Sequence, residues 1–150
     1  MNIKTNAALV VTANLAASQG GRRGALAEYS GIATTAALDQ TGFAQSGAST
    51  VSTITTSTFA TTLADEVIIC MCRFGAGGTI TGGTNFTYRS ATAGFGIADR
   101  IVASTGTYDA TETSTIVGLA GIVAATFKAP GAAAASLPPA SAPFSALLHF

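Results

Sequence analysis

The stretch Glu66-Val-Ile-Ile-Cys-Met-Cys-Arg-Phe74 limits what this chain can become more than any other. Alternation puts Ile68, Cys70, Cys72 and Phe74 on one face and Val67, Ile69 and Met71 on the other, so both faces are apolar. Such a strand belongs in the middle of a sheet covered on both sides, or at an interface. Short extended segments follow between glycine turns. Residues 75–78 and 82–83 bracket a brief segment at 79–81. Residues 85–89 then set Phe86 and Tyr88 against Asn85, Thr87 and Arg89, the pattern of a half-buried strand. Gly94 and Gly96 mark a turn before the strand at 97–103, which has Ile97 and Ile101 on one side. Gly106 turns the chain into 108–113, whose outward side would carry Asp109 or Glu112. The strand at 117–127 closes the series, with Val117, Leu119, Val123, Ala125 and Phe127 on a bulky face and Gly118, Ala120, Ile122 and Ala124 on a nearly bare one.

Upstream, Met1-Asn-Ile-Lys4 and the apolar run at 7–17 invite a secretion reading. Thr12 and Asn14 alternate with Leu9, Val11, Ala13 and Leu15, which is strand behaviour, so a first strand is expected rather than a signal peptide. Arg22 and Arg23 stand in a glycine turn, where two cations solubilise a hairpin tip more readily than they grip an anion. Residues 25–30 read as a strand and residues 31–49 as a loop. The Ser/Thr tract at 50–62 embeds Val51, Ile54 and Phe59 and reads as an exposed or edge strand. Threonine-rich strands suit flat ordered surfaces, but no regular spacing runs along this tract. After Lys128 an Ala/Pro spacer leads to Phe144-Ser-Ala-Leu-Leu-His-Phe150, a short apolar terminus.

The series from Gly77 to Arg89, Ala98-Asp-Arg-Ile-Val102, Gly106-Thr-Tyr-Asp-Ala-Thr111 and Gly121-Ile-Val-Ala-Ala-Thr-Phe-Lys128 resembles the C-terminal half of a jelly-roll-like β-sandwich module. Such modules recur in bacterial extracellular proteins and in phage tail or head-fibre proteins. The likeness extends through Glu28-Tyr-Ser-Gly31 and Ala37-Leu-Asp-Gln40, over about residues 7–128, and is carried by turn glycines and core aromatics. It implies a binding, display or structural role in a virion or at a cell surface. These modules carry further strands ahead of Glu28, where this chain has room for about one. A tail adding its Phe144, Leu147, Leu148 and Phe150 to a neighbour's open sheet edge would supply a missing strand.

Charge decides what can be set aside. Only 9% of the 150 residues are charged, against about 25% in ordinary domains. Seven basic and seven acidic residues leave no net field to attract nucleic acid. A surface so poor in charge suits a homo-oligomer. No run reaches the roughly 20 apolar residues of a membrane-spanning helix.

Catalytic chemistry finds little purchase. Cys70 and Cys72, two apart on one extended face, do not favour a disulfide with each other and read as buried free thiols. A metal site needs further soft ligands, and the single histidine, His149, lies in the tail. No Gly-x-Ser-x-Gly elbow and no phosphate-cradling loop occurs. Paired carboxylates remain as a hydrolase option, with Asp109 and Glu112 near one strand and Glu28, Asp65, Glu66 and Asp99 able to approach.

The expectation is therefore an all-β, antiparallel, jelly-roll-like β-sandwich of about eight strands over residues 1–128, with an extended Ala/Pro-rich tail at 129–150. Its role is expected to be structural or display, non-enzymatic and self-assembling, with no cofactor. A carbohydrate- or surface-binding module is the alternative, with Tyr29, Tyr88 and Tyr108 as stacking residues for a glycan.

Overall fold

The computed structural model describes residues 24–25 and 27–131. Among them there is no helix, and ten strands replace the expected eight or so. They are β1 (Leu38–Gln45), β2 (Val51–Thr55), β3 (Phe59–Ala60), β4 (Glu66–Phe74), β5 (Ile80–Gly82), β6 (Thr87–Thr92), β7 (Phe95–Val102), β8 (Thr107–Tyr108), β9 (Thr111–Gly118) and β10 (Ala120–Phe127). All pairings are antiparallel. Five strands form one sheet in the order β1-β10-β4-β7-β6, three form a second in the order β2-β9-β5, and β3 pairs with β8.

β4 sits at the centre of the large sheet, and its inward residues Ile68, Cys70, Cys72 and Phe74 are all buried. They meet Ile122 and Ala124 of β10, Ala98 of β7, Ile54 of β2 and Ile80 of β5 in one core shared by the two larger sheets. Burying a side chain such as Ile68 or Phe74 contributes roughly 1.5 to 3 kcal/mol, so this face of β4 anchors the fold.

Four expectations are corrected. First, the described residues do not cover both faces of β4: Val67 and Ile69 are half-buried and Met71 is exposed. Second, the region read as a loop at 31–49 contains β1. Leu38-Asp-Gln-Thr-Gly-Phe-Ala-Gln45 has no hydrophobic alternation, and its extended form comes from pairing with β10. Gly42 makes this possible, because a Cβ there would lie 2.7 Å from the Phe59 ring. Third, residues 27–30 form no strand; Ala33 N–H instead donates to the Lys128 carbonyl at 2.8 Å. Fourth, the strand at 117–127 is broken at Leu119, where the chain leaves β9 in the small sheet and enters β10 in the large one.

The Ser/Thr tract becomes β2, an edge strand of the small sheet, and the short β3. The expected strand at 7–17, the Arg22–Arg23 turn and the tail residues Phe144, Leu147, Leu148 and Phe150 lie outside the described residues. No helix among the described residues is long and apolar enough to cross a membrane.

Candidate functional site

The outward face of the large sheet carries an apolar row where β1, β10 and β4 lie side by side. Partners across antiparallel strands share a face, and the register aligns Phe43 of β1 with Val123 of β10 and Val123 with Met71 of β4. All three side chains are exposed, Phe43 by 71%. Leu119 extends the row at the sheet corner and is also exposed. Between Leu119 and Val123 stands Gly121, whose missing Cβ would meet nothing nearer than the Ala44 carbonyl oxygen at 3.9 Å. The result is a shallow apolar trough floored by Gly121 and bordered by Phe43, Met71, Phe95 and Val123.

The outward face of the small sheet is the opposite in character. Thr53, Thr113 and Thr81 align across its three strands, and Thr55 aligns with Thr111 one step along. Hydroxyl pairs join Thr53 to Thr113 at 3.1 Å and Thr55 to Thr111 at 2.8 Å. The regular spacing that β2 lacks along its own sequence therefore exists across strands. Near this face a polar trough is lined by Asn85, Phe86, Arg100, Asp109, Thr111 and Thr113.

The three tyrosines do not share one groove. Tyr29 is placed beside Asp99, whose register partners put it on the outward face of the large sheet. Tyr88 pairs with Ala98 on the inward face, and its hydroxyl donates to Glu112 Oε2. Tyr108 lies under Arg100, 5.2 Å from guanidinium carbon to ring centroid, and donates to the Ser104 carbonyl.

Three buried polar clusters hold most of the carboxyl groups. Glu112 points inward rather than outward and is 1% exposed; Asp109 is the exposed member of that pair. Glu112 Oε1 accepts from the Cys70 thiol at 3.3 Å. Burial pushes the Glu112 carboxyl up to about 7, against the pull of that hydrogen bond. Burial first, then the negative charge of Glu112, pushes the Cys72 thiol up to about 12 and the Cys70 thiol higher still. Both cysteines are free and buried, as expected, and such thiols are poor nucleophiles.

On the outward face, Arg89 grips Asp99 with Nε–Oδ2 at 2.5 Å and Nη2–Oδ1 at 2.8 Å. Burial works against the Asp99 charge, but this fork and the neighbouring Tyr29 hold its carboxyl below the usual range. Burial, followed by Asp99, raises the Tyr29 hydroxyl to about 12.

The third cluster joins three adjacent strands. Asp39 of β1 accepts from Thr62 N–H at 2.7 Å and from the Thr62 hydroxyl at 2.6 Å, and Lys128 Nζ lies 3.3 Å from its Oδ1. Glu66, the first residue of β4, is fully buried and accepts from Leu63 N–H at 3.2 Å through Oε1. Its Oε2 receives no donor. Asp65 delivers Glu66 into the sheet with φ of 58°, a left-handed conformation that aspartate tolerates better than most residues. Burial raises the Glu66 carboxyl; the Thr126 hydroxyl and Leu63 N–H pull it down, and Asp39 beside it pushes it up, with the balance upward. Burial also opposes the Asp39 charge, but Thr62, Glu66 and Lys128 together bring that carboxyl below its ordinary value. Sequence reasoning placed Asp39 in a loop and Lys128 at the end of a strand; only the β1–β10 pairing brings them together.

Among the described residues no group of three metal-ligating side chains could hold an ion. No known protein family, curated protein or solved structure matches this chain.

Proposed function

We propose that this chain is a non-enzymatic structural or display protein, a jelly-roll-like β-sandwich that assembles with copies of itself in a virion or at a cell surface. The observation that supports it is the exposed row Phe43–Val123–Met71 on the large sheet, in a chain with little surface charge to keep it apart from its own kind. β6 is an edge of the same sheet and offers backbone pairing to a neighbour, whereas the outer edge of β1 is engaged at Phe43 by Ser57. The tail with Phe144, Leu147, Leu148 and Phe150 is the further contact this reading assigns.

Size-exclusion chromatography with light scattering tests it. The expected result is a discrete oligomer or filament well above the 14.8 kDa protomer. Phe43→Glu should return the protein to a monomer with an unchanged circular dichroism spectrum. A wild-type monomer would overturn the reading.

The aligned threonines favour a second reading, a carbohydrate- or surface-binding module. A repeating hydroxyl array with the Asn85–Arg100–Asp109 trough beside it suits a regular polar ligand. Binding of the monomer to a glycan array, lost on Thr113→Val, would select this reading over assembly.

A further inference from the structure

We infer that Lys128 and Asp39 are the precursors of an intramolecular isopeptide bond, with Glu66 carrying the protons between them. This does not depend on the assembly reading.

Three features converge on one point. The residues come from neighbouring positions: β1 pairs with β10 and β10 with β4, and continuing the Phe127↔Val67 register by one residue sets Lys128 opposite Glu66. Lys128 shares the parity of the inward residues Ile122, Ala124 and Thr126, and Glu66 that of Ile68 and Cys70, so both project to the same side. The groups are already in contact as an ion pair, with Nζ 3.3 Å from Asp39 Oδ1, which brings the nitrogen beside the carboxyl carbon it would attack. Water is largely excluded, since the Asp39 side chain is 4% exposed, that of Lys128 21% and Glu66 0%.

Glu66 supplies what an ordinary ion pair lacks. Its Oε2 is buried without a hydrogen-bond partner, an arrangement that is costly for a carboxylate and natural for a carboxylic acid, and Asp39 lies beside it to receive the proton. The directions of the two carboxyl shifts agree, with Glu66 raised and Asp39 lowered.

The chemistry balances without a co-reactant. Glu66 gives its proton to the Asp39 carboxylate, and the Lys128 ammonium gives one to Glu66, leaving a neutral amine. The amine lone pair attacks Asp39 Cγ and forms the C–N bond. A second proton passes from nitrogen through Glu66 to the departing hydroxyl, the C–O bond breaks, and one water leaves. The products are a secondary amide, water and Glu66 again in its acid form. A bond so placed would tie the first described strand to the last without a disulfide.

Intact-mass spectrometry of the full chain is the test. The expected mass is lower than that of the sequence by one water, and a proteolytic digest should contain a branched peptide joining Asp39 to Lys128. Lys128→Arg and Asp39→Ala should each show the full mass. Glu66→Gln, which preserves shape and removes the acid, should also show the full mass while retaining the wild-type circular dichroism spectrum. A wild-type chain of full mass, or a water loss that maps to other residues, overturns the proposal without reference to any variant. Water loss retained in Glu66→Gln overturns the role given to Glu66.

Discussion

The thiol of Cys70 donates to Glu112 Oε1 across the core, from the large sheet to the small one. Buried carboxyl groups of this kind hold their proton, and that makes folding depend on pH. Glu112 titrates at about 7 in the fold against an ordinary 4.5. Because the folded value is the higher, the folded state binds the extra proton within that window. The stabilising contribution of neutral Glu112 is fully present below about 4.5 and is lost as pH rises through about 7. At 1.36 kcal/mol per unit the swing is at most about 3 kcal/mol. Melting temperature should therefore fall between pH 4.5 and 7.5, and Glu112→Gln should flatten the slope. A wild-type melting temperature that rises across this range would contradict the assignment.

Two phenylalanines on the large sheet should respond in opposite ways to truncation. Phe74 is 1% exposed at the end of β4, and Phe74→Ala should destabilise the fold by about 3 to 5 kcal/mol in urea unfolding. Phe43 faces outward, and Phe43→Ala should stay within about 0.5 kcal/mol for the monomer. Comparable losses at both positions would show that the outward face is covered within the chain itself.

Gly94 makes the turn between β6 and β7 with φ of 70°, and it accepts from Phe74 N–H at 2.7 Å. A Cβ there would stand 2.4 Å from the Phe74 carbonyl oxygen, a backbone atom that cannot swing away. Gly94→Ala should cost roughly 2 to 3 kcal/mol in chemical denaturation. Gly121→Ala, with open space above it, should cost far less. Equal tolerance of the two substitutions would refute this difference.

Where a strand's own residues decide its shape, the sequence sufficed. β4 runs over the same nine residues that alternation marks out, and Ile68, Cys70, Cys72 and Phe74 share one face as the pattern sets them. β5, β6 and β7 likewise fall within a few residues of the segments set by their bounding glycines. β1 was illegible because its conformation is imposed by β10, and its single buried residue is a glycine that carries no hydrophobic signal. The same limit hid the polar clusters. Tyr88 and Glu112 lie on strands of different sheets, and Asp39 meets Lys128 only because the first and last described strands are neighbours. Apolarity on both faces of β4 was legible, but its cause was not. One face is core, and the other is surface that the described part of the chain leaves largely open.

If copies assemble as proposed, the difference between the two outward faces would limit how the assembly grows. Copies that meet through Phe43, Val123 and Met71 use the same patch on both partners and turn both threonine faces to the outside. Stacking along that direction would end at two, because the threonine array offers a third copy hydroxyls rather than an apolar row, with Ile116 and Val117 exposed only at the far end of β9. A larger array built on that contact would extend sideways through strand edges, two molecules thick, with a threonine array on each of its surfaces.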